Sequence, residues 1–339
     1  MNENKKRGRH VTRTVSAVIL TYNRRSLLTE CLAAVHRQSR PVDHVLIIDN
    51  GGTDGTAEWL VENWSERVEV YRLPCNRGSA GGFHAAMRIG YERGDDAIWL
   101  MDDDVIPATD ALERLLNARE TLKAHGVDAP FVLSTARTPE GLLTNVPEVD
   151  QTLNSISYLQ WPMMLSEGMV PVRRATFVSI LLNREVLREH GLPLADLYMW
   201  VEDTEFTDRV TRTAPGFMVG KSKVVHARSI PGALDIRTER DPVRLRNHYF
   251  LRRNWMYLTR RRSKWQITGR RLFQEVRYAT KLLVTGDRHR AWTVLSGAWA
   301  GLFFKPALIG VESPCDLDNL RVVGPAASCV ATQAPAATA

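Results

Sequence analysis

Long hydrophobic runs are missing from this chain. Its 339 residues contain no run of the roughly eighteen apolar residues that a membrane-spanning helix needs, so the sequence predicts no transmembrane segment. The first apolar run, Val15–Leu20, is short and leads straight into Tyr22 without a small-residue cleavage site, which argues against a signal peptide. We therefore expect a cytoplasmic protein with a disordered basic tail at residues 1–13 and a first strand at Val15–Leu20.

Cysteine is also scarce. The four cysteines, Cys31, Cys75, Cys315 and Cys329, show neither the paired spacing of a zinc site nor that of a disulfide framework. This pattern favours a reducing compartment. The sequence also lacks a Ser-His or Cys-His arrangement that would indicate nucleophilic catalysis.

Two nucleotide-binding signatures are absent as well. A dinucleotide-binding domain carries Gly-x-Gly-x-x-Gly after its first strand, and a P-loop enzyme carries a glycine-rich loop that ends in lysine. Neither motif follows Val15–Leu20. Hydride transfer and P-loop chemistry are therefore disfavoured.

Positive charge is present in excess but is unevenly distributed. The formal net charge is +7, and basic residues far outnumber acids between Arg237 and Arg290. This asymmetry predicts a catalytic domain over residues 14–230, a basic helical region over 231–323 and a disordered tail over 324–339. A nucleic-acid partner would also explain the charge, but no recognised nucleic-acid-binding module accompanies it.

Short β-rich runs alternate with helical patterns in the first half of the chain. The predicted strands are Val15–Leu20, Val45–Asp49, Val68–Leu73 and Ala97–Met101, and the predicted helices are Ser26–Gln38, Thr56–Trp64 and Gly81–Arg93. This alternation is typical of an α/β fold with a mainly parallel sheet flanked by helices. Ser26 is a plausible helix cap, and the stretch from Pro130 to Pro171 reads as an irregular insertion on the acceptor side.

Three adjacent acids, Asp102, Asp103 and Asp104, follow the apolar run Ala97–Met101. The carboxyl end of a buried strand lies at the ligand-binding edge of an open α/β sheet. Three carboxylates there repel one another unless a cation such as Mg²⁺ or Mn²⁺ neutralises them. An acidic surface turn is the alternative interpretation.

Polar groups also follow the other predicted strands. Thr21 and Asn23 follow the first strand, Asp49 ends the second, and the segment Asn76–Gly82 follows the third. These strand ends meet in one crevice of a parallel sheet. Arg77 and the backbone amides of the glycine-rich segment suit an anionic ligand, although glycine clusters are often simple turns.

A second acidic cluster contains Glu202 and Asp203 and follows Trp200. One carboxylate would act as a general base beside an aromatic residue, or both would only stabilise the start of a helix. His226 ends the predicted strand Val219–His226, where it would be either a third metal ligand or an ordinary packed histidine.

Five ordered motifs together resemble family 2 glycosyltransferases, with the greatest similarity to the branch of bacterial galactofuranosyltransferases and rhamnosyltransferases. The motifs are Val18–Arg24, Ile48–Asn50, Asn76–Gly78, Asp102–Asp104 and Glu202–Phe206. The resemblance covers about residues 15–310, and Arg246–Asn254 also looks like a segment that follows the catalytic domain in that branch.

The resemblance implies a GT-A fold and an inverting transfer from a nucleotide-diphosphate sugar. It places Thr21, Asn23 and Asp49 on the nucleoside, with Asp49 facing the base. The other donor-binding residues that it implies are Arg77, Gly78, Gly81, Asp102 and Asp103.

The same resemblance assigns the metal and the base. Mn²⁺ or Mg²⁺ would be held by Asp102, Asp104 and His226, and Trp200 would contact the acceptor. Asp203 would remove the acceptor proton. Glu202 stands where relatives often have aspartate, so the choice between the two carboxylates stays open.

The basic C-terminal region suggests an anionic membrane surface. The stretch from Gly269 to Thr285 reads as an amphipathic helix, with an apolar face at Leu272, Val276, Ala279 and Leu283 and basic residues opposite. Arg260, Arg261 and Arg262 precede this helix, and the apolar stretch from Trp292 to Phe304 follows it. An ordinary helix packed on the domain is the alternative.

These features together predict a peripheral enzyme on the inner face of the plasma membrane, acting on a polyprenyl-diphosphate-linked glycan. UDP-galactofuranose is the favoured donor and dTDP-rhamnose the second choice. A haloacid-dehalogenase-type phosphatase and a non-catalytic sugar-nucleotide or lipid-binding protein are the alternatives from other classes. The sequence does not indicate an oligomeric state.

Overall fold

The computed structural model describes residues 14–228, 234–314, 317 and 319–323. Both predicted disordered tails lie outside the described residues, as do Cys315, Cys329 and the predicted boundary between residues 230 and 231. The division of the chain into domains therefore stays a prediction.

The described residues form strands and helices that alternate through the first half of the chain. The strands are β1 (Val15–Thr21), β2 (His44–Asp49), β3 (Glu69–Arg72), β4 (Ala97–Asp102), β5 (Val105–Pro107), β6 (Phe131–Arg137), β7 (Glu148–Val149), β8 (Met169–Arg174), β9 (Ile180–Asn183), β10 (Gly216–His226) and β11 (Arg321–Val323). The α-helices are α1 (Arg25–His36), α2 (Thr56–Trp64), α3 (Gly78–Arg93), α4 (Ala111–Ala124), α5 (Arg184–His190), α6 (Glu202–Val210), α7 (Pro242–Arg262), α8 (Trp265–Val284) and α9 (Arg288–Phe303). Short 3₁₀ helices cover Trp161–Glu167 and Ala195–Leu197.

One sheet joins these strands in the order β11-β3-β2-β1-β4-β9-β6-β10-β8-β7, with β5 paired to β10. The four predicted strands β3, β2, β1 and β4 are parallel, as expected. Beyond β4 the sheet is mixed, because β9 runs antiparallel to both of its neighbours, β4 and β6. The mainly parallel arrangement is therefore confined to the first half of the fold.

Strand β6 corrects the prediction that Pro130 to Pro171 is irregular. It pairs with β9 and β10 in the middle of the sheet and is buried over most of its length. A serine interrupts its apolar run, which hides the strand in the sequence. The Ser134 hydroxyl is buried and lies 2.7 Å from the hydroxyls of Ser179 and Ser222, so the neighbouring strands satisfy it.

The sheet is covered on both faces. All seven residues of β1 are buried, with Ala17 and Ile19 in one hydrophobic cluster and Val18 and Leu20 in the other. This alternation follows the two-residue period of a strand. Because both faces are apolar, polar side chains of these strands concentrate at the strand ends, where the candidate site forms.

Two predicted helix starts are wrong. Helix α1 begins at Arg25 with Arg24 at the N-cap position, so Ser26 lies within the helix and is not its cap. The Arg24 side chain makes no capping hydrogen bond and instead reaches the acidic triplet. Helix α3 begins at Gly78, three residues before the predicted start, so its N-terminus lies in the glycine-rich segment itself.

The C-terminal helices differ from the prediction in which face they bury. Helix α8 is present, and Ala279 of the predicted apolar face is buried, but Val276 and Leu283 of that face are exposed. The packed side also carries Glu275 and Leu282. The carboxylate of Glu275 is buried because Arg252 of α7 and Arg271 pair with it at 3.0 Å, which lets an acid occupy an interior position.

The arginine triplet at the end of α7 is part of the packing. Arg260 donates to the backbone oxygen of Phe304, Arg261 pairs with the buried Glu205 carboxylate at 3.1 Å, and Arg262 contacts the Asp208 carboxylate. Arg260 and Arg262 are half-buried in these contacts, whereas Arg261 is exposed, so the expectation that these arginines face a membrane stays a prediction. Among the described residues, none of the helices is both long and apolar enough to span a bilayer.

Candidate active site

The site forms where strands β2, β1 and β4 end side by side. Pairing in the sheet sets Thr21 opposite Asp49 and Leu20 opposite Asp102. The polar groups that the sequence placed at three separate strand ends therefore lie on adjacent strands, at the ligand-binding edge of the sheet.

Asp102, Asp104 and His226 form a candidate metal centre. One ligand atom of each lies within 4.8 Å of the others. The His226 Nε2 atom is 3.0 Å from Asp104 Oδ1, and its Nδ1 atom is 2.9 Å from the Asn145 side-chain oxygen. Two carboxylates and an imidazole whose other ring nitrogen is held by Asn145 suit Mn²⁺ or Mg²⁺. The residues present therefore fit the expected divalent ion.

Asp103 is turned away from this centre and is held by the first strand. Its carboxylate accepts a 2.7 Å hydrogen bond from the Thr21 hydroxyl and lies 3.3 Å from the Arg24 guanidinium. Burial raises the pKa of Asp103 to about 6, although Arg24 and Thr21 oppose that rise. The role of Asp103 in these contacts is to fix the end of β1 to the turn after β4.

The surroundings of the triplet shift the pKa values of Asp102 and Asp104 in opposite directions. Burial tends to raise the pKa of Asp104, but the hydrogen bond and charge of His226 and the charge of Arg24 outweigh it and lower the pKa. The pKa of Asp102 is raised well above its usual value by burial and by the charges of Asp104 and Asp103. A bound divalent cation would favour the ionised form of both.

The glycine-rich segment forms the start of α3 and closes one side of the site. The Asn50 side-chain oxygen accepts from the Arg77 backbone amide at 3.0 Å, and its amide donates to the Gly78 oxygen at 3.0 Å. Gly78 has a φ of +71°, and a Cβ there would lie 2.0 Å from the Tyr198 oxygen. A Cβ at Gly81 would collide with Arg77 at 2.5 Å, so both glycines permit close backbone approach.

Asn23 and Asp49 organise the loop after β2. The Asn23 side chain exchanges hydrogen bonds with Thr53, accepting from its backbone amide at 2.7 Å. Asp49 is buried and accepts from the Gly52 amide at 2.7 Å, with Arg72 at 3.5 Å from its other oxygen. Burial raises the pKa of Asp49, while Gly52 and Arg72 oppose the rise.

The carboxylate pair lies at the start of α6. Burial and the charge of Asp203 raise the pKa of Glu202 to about 8, although the Ser79 side chain opposes the rise. Burial raises the pKa of Asp203 only to about 6, because the Thr204 amide and hydroxyl donate to it at 2.6 and 3.2 Å. At neutral pH the arrangement therefore favours a protonated Glu202 beside an ionised Asp203.

The loop before this pair is strained. Trp200 has a φ of 64° and Val201 a φ of 74°, a region that costs a non-glycine residue on the order of 1–3 kcal/mol. The Trp200 ring packs edge-on against His248 with centroids 5.2 Å apart. Burial and nearby arginines lower the pKa of His248 to about 4, so the His248 imidazole is neutral at physiological pH.

Two observations link the carboxylate pair to the metal centre and the glycine-rich segment. The charge of Glu202 contributes to the raised pKa of Asp102, and the Ala80 amide of α3 donates to the oxygen of Tyr198, four residues before Glu202. The structure thus brings together Asp102, Asp104 and His226 and places Glu202 near them, while the roles of the residues nominated from the sequence stay predictions. Chemically, it combines ligands for a cation, backbone amides for an anion and a carboxylate ionised at neutral pH.

Sequence reasoning assigned no role to several residues of the site. Arg24 and Asn50 fall within the quoted motifs, which was a usable signal. Asn145 supports His226 from the insertion between β6 and β8, and nothing in its sequence context pointed to that contact. The contact between Asn145 and His226 could be identified only from the tertiary structure.

The topology and these side chains define a GT-A glycosyltransferase. The family model for glycosyl transferase family 2 matches residues 16–190, and the chain belongs to this family. The phosphatase alternative is thereby excluded.

Similar curated proteins match over part of their length. A galactofuranosyltransferase GlfT1 of Mycolicibacterium smegmatis is 39% identical over 111 residues, or 32% of this chain and 36% of the relative. An undecaprenyl-phosphate mannosyltransferase of Micrococcus luteus is 33% identical over 135 residues, or 39% of this chain and 52% of the relative. The alignments thus span about a third to a half of these relatives.

Solved structures support the fold. S. aureus TarS matches with a TM-score of 0.50 at 15% identity, covering 74% of this chain and 40% of TarS. GalNAc-T7, solved with UDP, GalNAc and Mn²⁺, matches with a TM-score of 0.51 at 14% identity, covering 74% of this chain and 52% of that one. At these identities the likeness concerns the fold alone.

Proposed function

We propose that this protein is an inverting, metal-dependent glycosyltransferase that moves a sugar from a nucleotide diphosphate to a lipid-linked glycan. The observation that carries the proposal is the meeting of Asp102, Asp104 and His226 with the Glu202–Asp203 pair at one edge of the sheet. Breaking a sugar–phosphate bond calls for both elements, because the diphosphate leaves as an anion and the acceptor hydroxyl must lose a proton.

The metal centre would act on the leaving group. Asp102, Asp104 and His226 would hold Mn²⁺ or Mg²⁺, which offsets the negative charge that gathers on the departing diphosphate. The start of α3, with the Arg77 side chain and the Ser79 amide, would orient the same anion. Thr21, Asn23 and Asp49 would hold the nucleoside at the neighbouring strand ends.

Asp203 is the proposed general base. Its pKa of about 6 leaves it ionised at neutral pH, whereas Glu202, with a pKa of about 8, stays protonated. A base in hydrogen-bond reach of the acceptor contributes about 10²–10⁴-fold to the rate. Trp200 would stack on the acceptor sugar. A single displacement assisted in this way inverts the anomeric centre and needs no enzyme nucleophile.

The favoured donor is UDP-galactofuranose, with dTDP-rhamnose second. The similarity to the GlfT1 galactofuranosyltransferase supports the first choice. A polyprenyl-linked acceptor is supported by the similarity to the undecaprenyl-phosphate mannosyltransferase, which is named for a lipid-phosphate substrate. These relatives motivate a cytoplasmic enzyme that works at the inner membrane face in surface-polysaccharide synthesis.

The C-terminal helices support contact with an anionic membrane. Most of the exposed apolar side chains on α8 and α9 lie on one arc of each helix, and we call these arcs the docking face, whose members are Trp265, Phe273, Val276, Leu283, Val284, Trp292, Trp299 and Phe303. Ile267 of α8 is also exposed but lies outside the arc. At about 100° per residue, the five positions on α8 fall within roughly 100° of arc and the three on α9 within roughly 40°. Aromatic and aliphatic groups arranged in this way suit the interfacial layer of a bilayer.

Charge complements this face. Around the axis of α8, Arg270, Arg277 and Lys281 lie within about 60° of one edge of the apolar arc, and all three are exposed. The acids between Lys264 and Lys305 are Glu275 and Asp287, and both are paired with arginines. The region therefore presents net positive charge to anionic lipid, about 1 kcal/mol for each cation near the surface.

A donor panel tests the proposed function. Purified protein is incubated with UDP- and dTDP-sugars, Mn²⁺ and a polyprenyl-diphosphate glycan, and both sugar transfer and donor hydrolysis are measured. We expect transfer from UDP-galactofuranose. The Asp203→Asn variant should keep its donor affinity and lose transfer, because the amide preserves the shape of the side chain but cannot accept the proton.

Two outcomes would contradict the proposal. Donor binding without turnover for any sugar would indicate a non-catalytic sugar-nucleotide-binding protein. Loss of transfer in Glu202→Gln together with full activity in Asp203→Asn would show that Glu202 is the base.

A further inference from the structure

Helix α7 reaches from the C-terminal region to the loop that precedes the carboxylate pair. We call residues Tyr198–Val201 the pre-base loop. Tyr198, Trp200 and Val201 all have positive φ, at 62°, 64° and 74°. Bulky and β-branched residues rarely adopt this conformation, and it persists only where the surrounding structure holds it. The contacts of this loop therefore identify what positions Glu202 and Asp203.

Asn254 makes the densest set of those contacts. Its side chain is fully buried, and its Nδ2 atom lies 2.9 Å from the Leu197 oxygen, 3.1 Å from the Met199 oxygen and 2.9 Å from the Trp200 oxygen. Three backbone carbonyls thus share the two amide hydrogens. The other side of the amide accepts from Arg253 Nε at 3.0 Å, which fixes its orientation.

Arg253 extends this brace. Its Nη2 atom donates to the backbone oxygens of Asp196 at 2.7 Å and Leu197 at 3.0 Å, just before the pre-base loop. Two neighbouring residues of α7, Arg253 and Asn254, thus donate hydrogen bonds to the backbone carbonyls of this segment, which no regular secondary structure would satisfy.

The opposite side of the pre-base loop meets the start of α3. The Ala80 amide donates to the Tyr198 oxygen at 3.1 Å, and the Ser79 hydroxyl lies 3.4 Å from the Met199 sulfur. The pre-base loop is therefore clamped between α7 and the segment proposed to bind the diphosphate. A shift of the loop would move the base away from its acceptor.

We propose that Asn254 is a positioning residue for glycosyl transfer, whose side-chain amide holds the pre-base loop so that Asp203 and Glu202 face the acceptor. The inference rests on the proposed function for its kinetic part and on the contacts of Asn254 for its structural part. It makes the basic C-terminal region part of the catalytic apparatus in addition to a surface for lipid.

The Asn254→Asp variant tests this role. The substitution keeps the size of the side chain and its bond from Arg253 but turns a carboxylate oxygen toward three carbonyls. We expect kcat for transfer to fall about ten- to a hundredfold, since a 1 Å misplacement of a catalytic group can cost about a hundredfold. The KM for the donor should change far less. Hydrogen exchange should accelerate in peptides covering residues 195–206 and at the Ala80 amide.

A matched control lies on another helix. Asn63 of α2 also donates its side-chain amide to a backbone carbonyl, that of Trp59 at 2.9 Å, so Asn63→Asp makes the same chemical change outside α7 and the pre-base loop. It should leave kcat and the exchange of residues 195–206 unchanged. If Asn254→Asp fails to fold, Arg253→Lys replaces it, because lysine keeps the charge but lacks the fork that spans Asp196 and Leu197. The same two effects are expected there, at smaller size.

Several results would overturn the inference. Wild-type kcat in folded Asn254→Asp would do so, as would a loss of kcat with unchanged exchange at residues 195–206. A wild-type protein that transfers no sugar would count against the proposed function, and the exchange measurement would still decide whether Asn254 holds the loop.

Discussion

At the scale of single residues, burial gives different chemistry to similar side chains. Glu202 and Asp203 are adjacent carboxyls, yet only Asp203 receives two hydrogen bonds from Thr204. Those bonds oppose the cost of burial and leave the pKa of Asp203 near 6 while that of Glu202 rises to about 8. The same environment that makes Asp203 a competent base therefore keeps its neighbour neutral.

This difference predicts a bell-shaped dependence of transfer rate on pH. The rate should rise as pH increases through about 6, because Asp203 must be ionised to accept a proton. It should fall above about 8, where Glu202 ionises and adds negative charge beside the base. Initial rates at saturating donor measure the profile. The Glu202→Gln variant should lose the alkaline limb and keep the acidic one, and an acidic limb that disappears in this variant would identify Glu202 as the base.

The metal centre gives a second prediction at this scale. Asp104→Ala should lower turnover at least about a hundredfold, equivalent to about 2.7 kcal/mol of barrier, because the departing diphosphate would lose its main counter-charge. Turnover is measured with Mn²⁺ in excess, and circular dichroism checks folding. Asp110→Ala removes an exposed carboxylate just before α4 and should have no effect. Full turnover in folded Asp104→Ala, or in excess chelator, would reject the metal role.

At the scale of elements, periodicity in the sequence found the parts of the fold whose signals are local. Strands β1 to β4 and the three helices among them follow from apolar runs and three- to four-residue spacing. Strand β6 and the antiparallel strand β9 were missed, since their pairing partners are distant in sequence and the buried Ser134 interrupts the apolar pattern of β6. The N-cap position of Arg24 was also missed. The Arg24 side chain pairs with the acidic triplet and makes no capping hydrogen bond to its own helix.

The glycine that starts α3 illustrates how an element depends on close approach. Gly78→Ala should destabilise the protein by about 2–4 kcal/mol, combining the strain of a positive φ with a Cβ placed against the Tyr198 oxygen. Gly94 at the end of the same helix also has a positive φ, of 94°, but a Cβ there meets nothing within 4 Å.

Comparing these two glycines separates strain from crowding. Gly94→Ala should cost only about 1–2 kcal/mol, because it adds strain alone. Urea unfolding measures both variants, and titration with UDP should show weakened binding for Gly78→Ala alone. Equal losses of stability in the two variants would show that the approach to Tyr198 carries no energetic weight.

At the scale of the whole molecule, the positive charge of the C-terminal region has two separate uses. Arg260, Arg261 and Arg262 are bonded within the fold, where Arg261 and Arg262 meet the acids Glu205 and Asp208 of α6. The exposed cations beside the docking face are different residues, Arg270, Arg277 and Lys281. Counting charges in the sequence could not separate the two groups, because only the contacts between α7 and α6 show which arginines are paired with acids.

This division predicts which residues bind vesicles. Reversing Arg270, Arg277 and Lys281 to glutamate should weaken binding to anionic vesicles at least about a hundredfold, since each cation contributes about 1 kcal/mol and each 1.4 kcal/mol is tenfold. Replacing Phe273, Trp292 and Trp299 with serine should weaken binding to a similar extent, and wild-type binding should fall with added salt. Co-sedimentation with vesicles measures each affinity.

The insertion between β6 and β8 supplies a matched control for the docking face. Leu142, Ile156 and Tyr158 there are 68%, 70% and 71% exposed, comparable with Phe273 at 68% and Trp292 at 69%. The insertion residues from Thr138 to Gly168 include acids and no lysine or arginine, so we expect no affinity of this segment for anionic lipid. Their replacement by serine should leave vesicle binding unchanged. If these serine variants abolish binding while the docking-face variants retain it, the membrane contacts the insertion, and the orientation proposed for the enzyme is wrong.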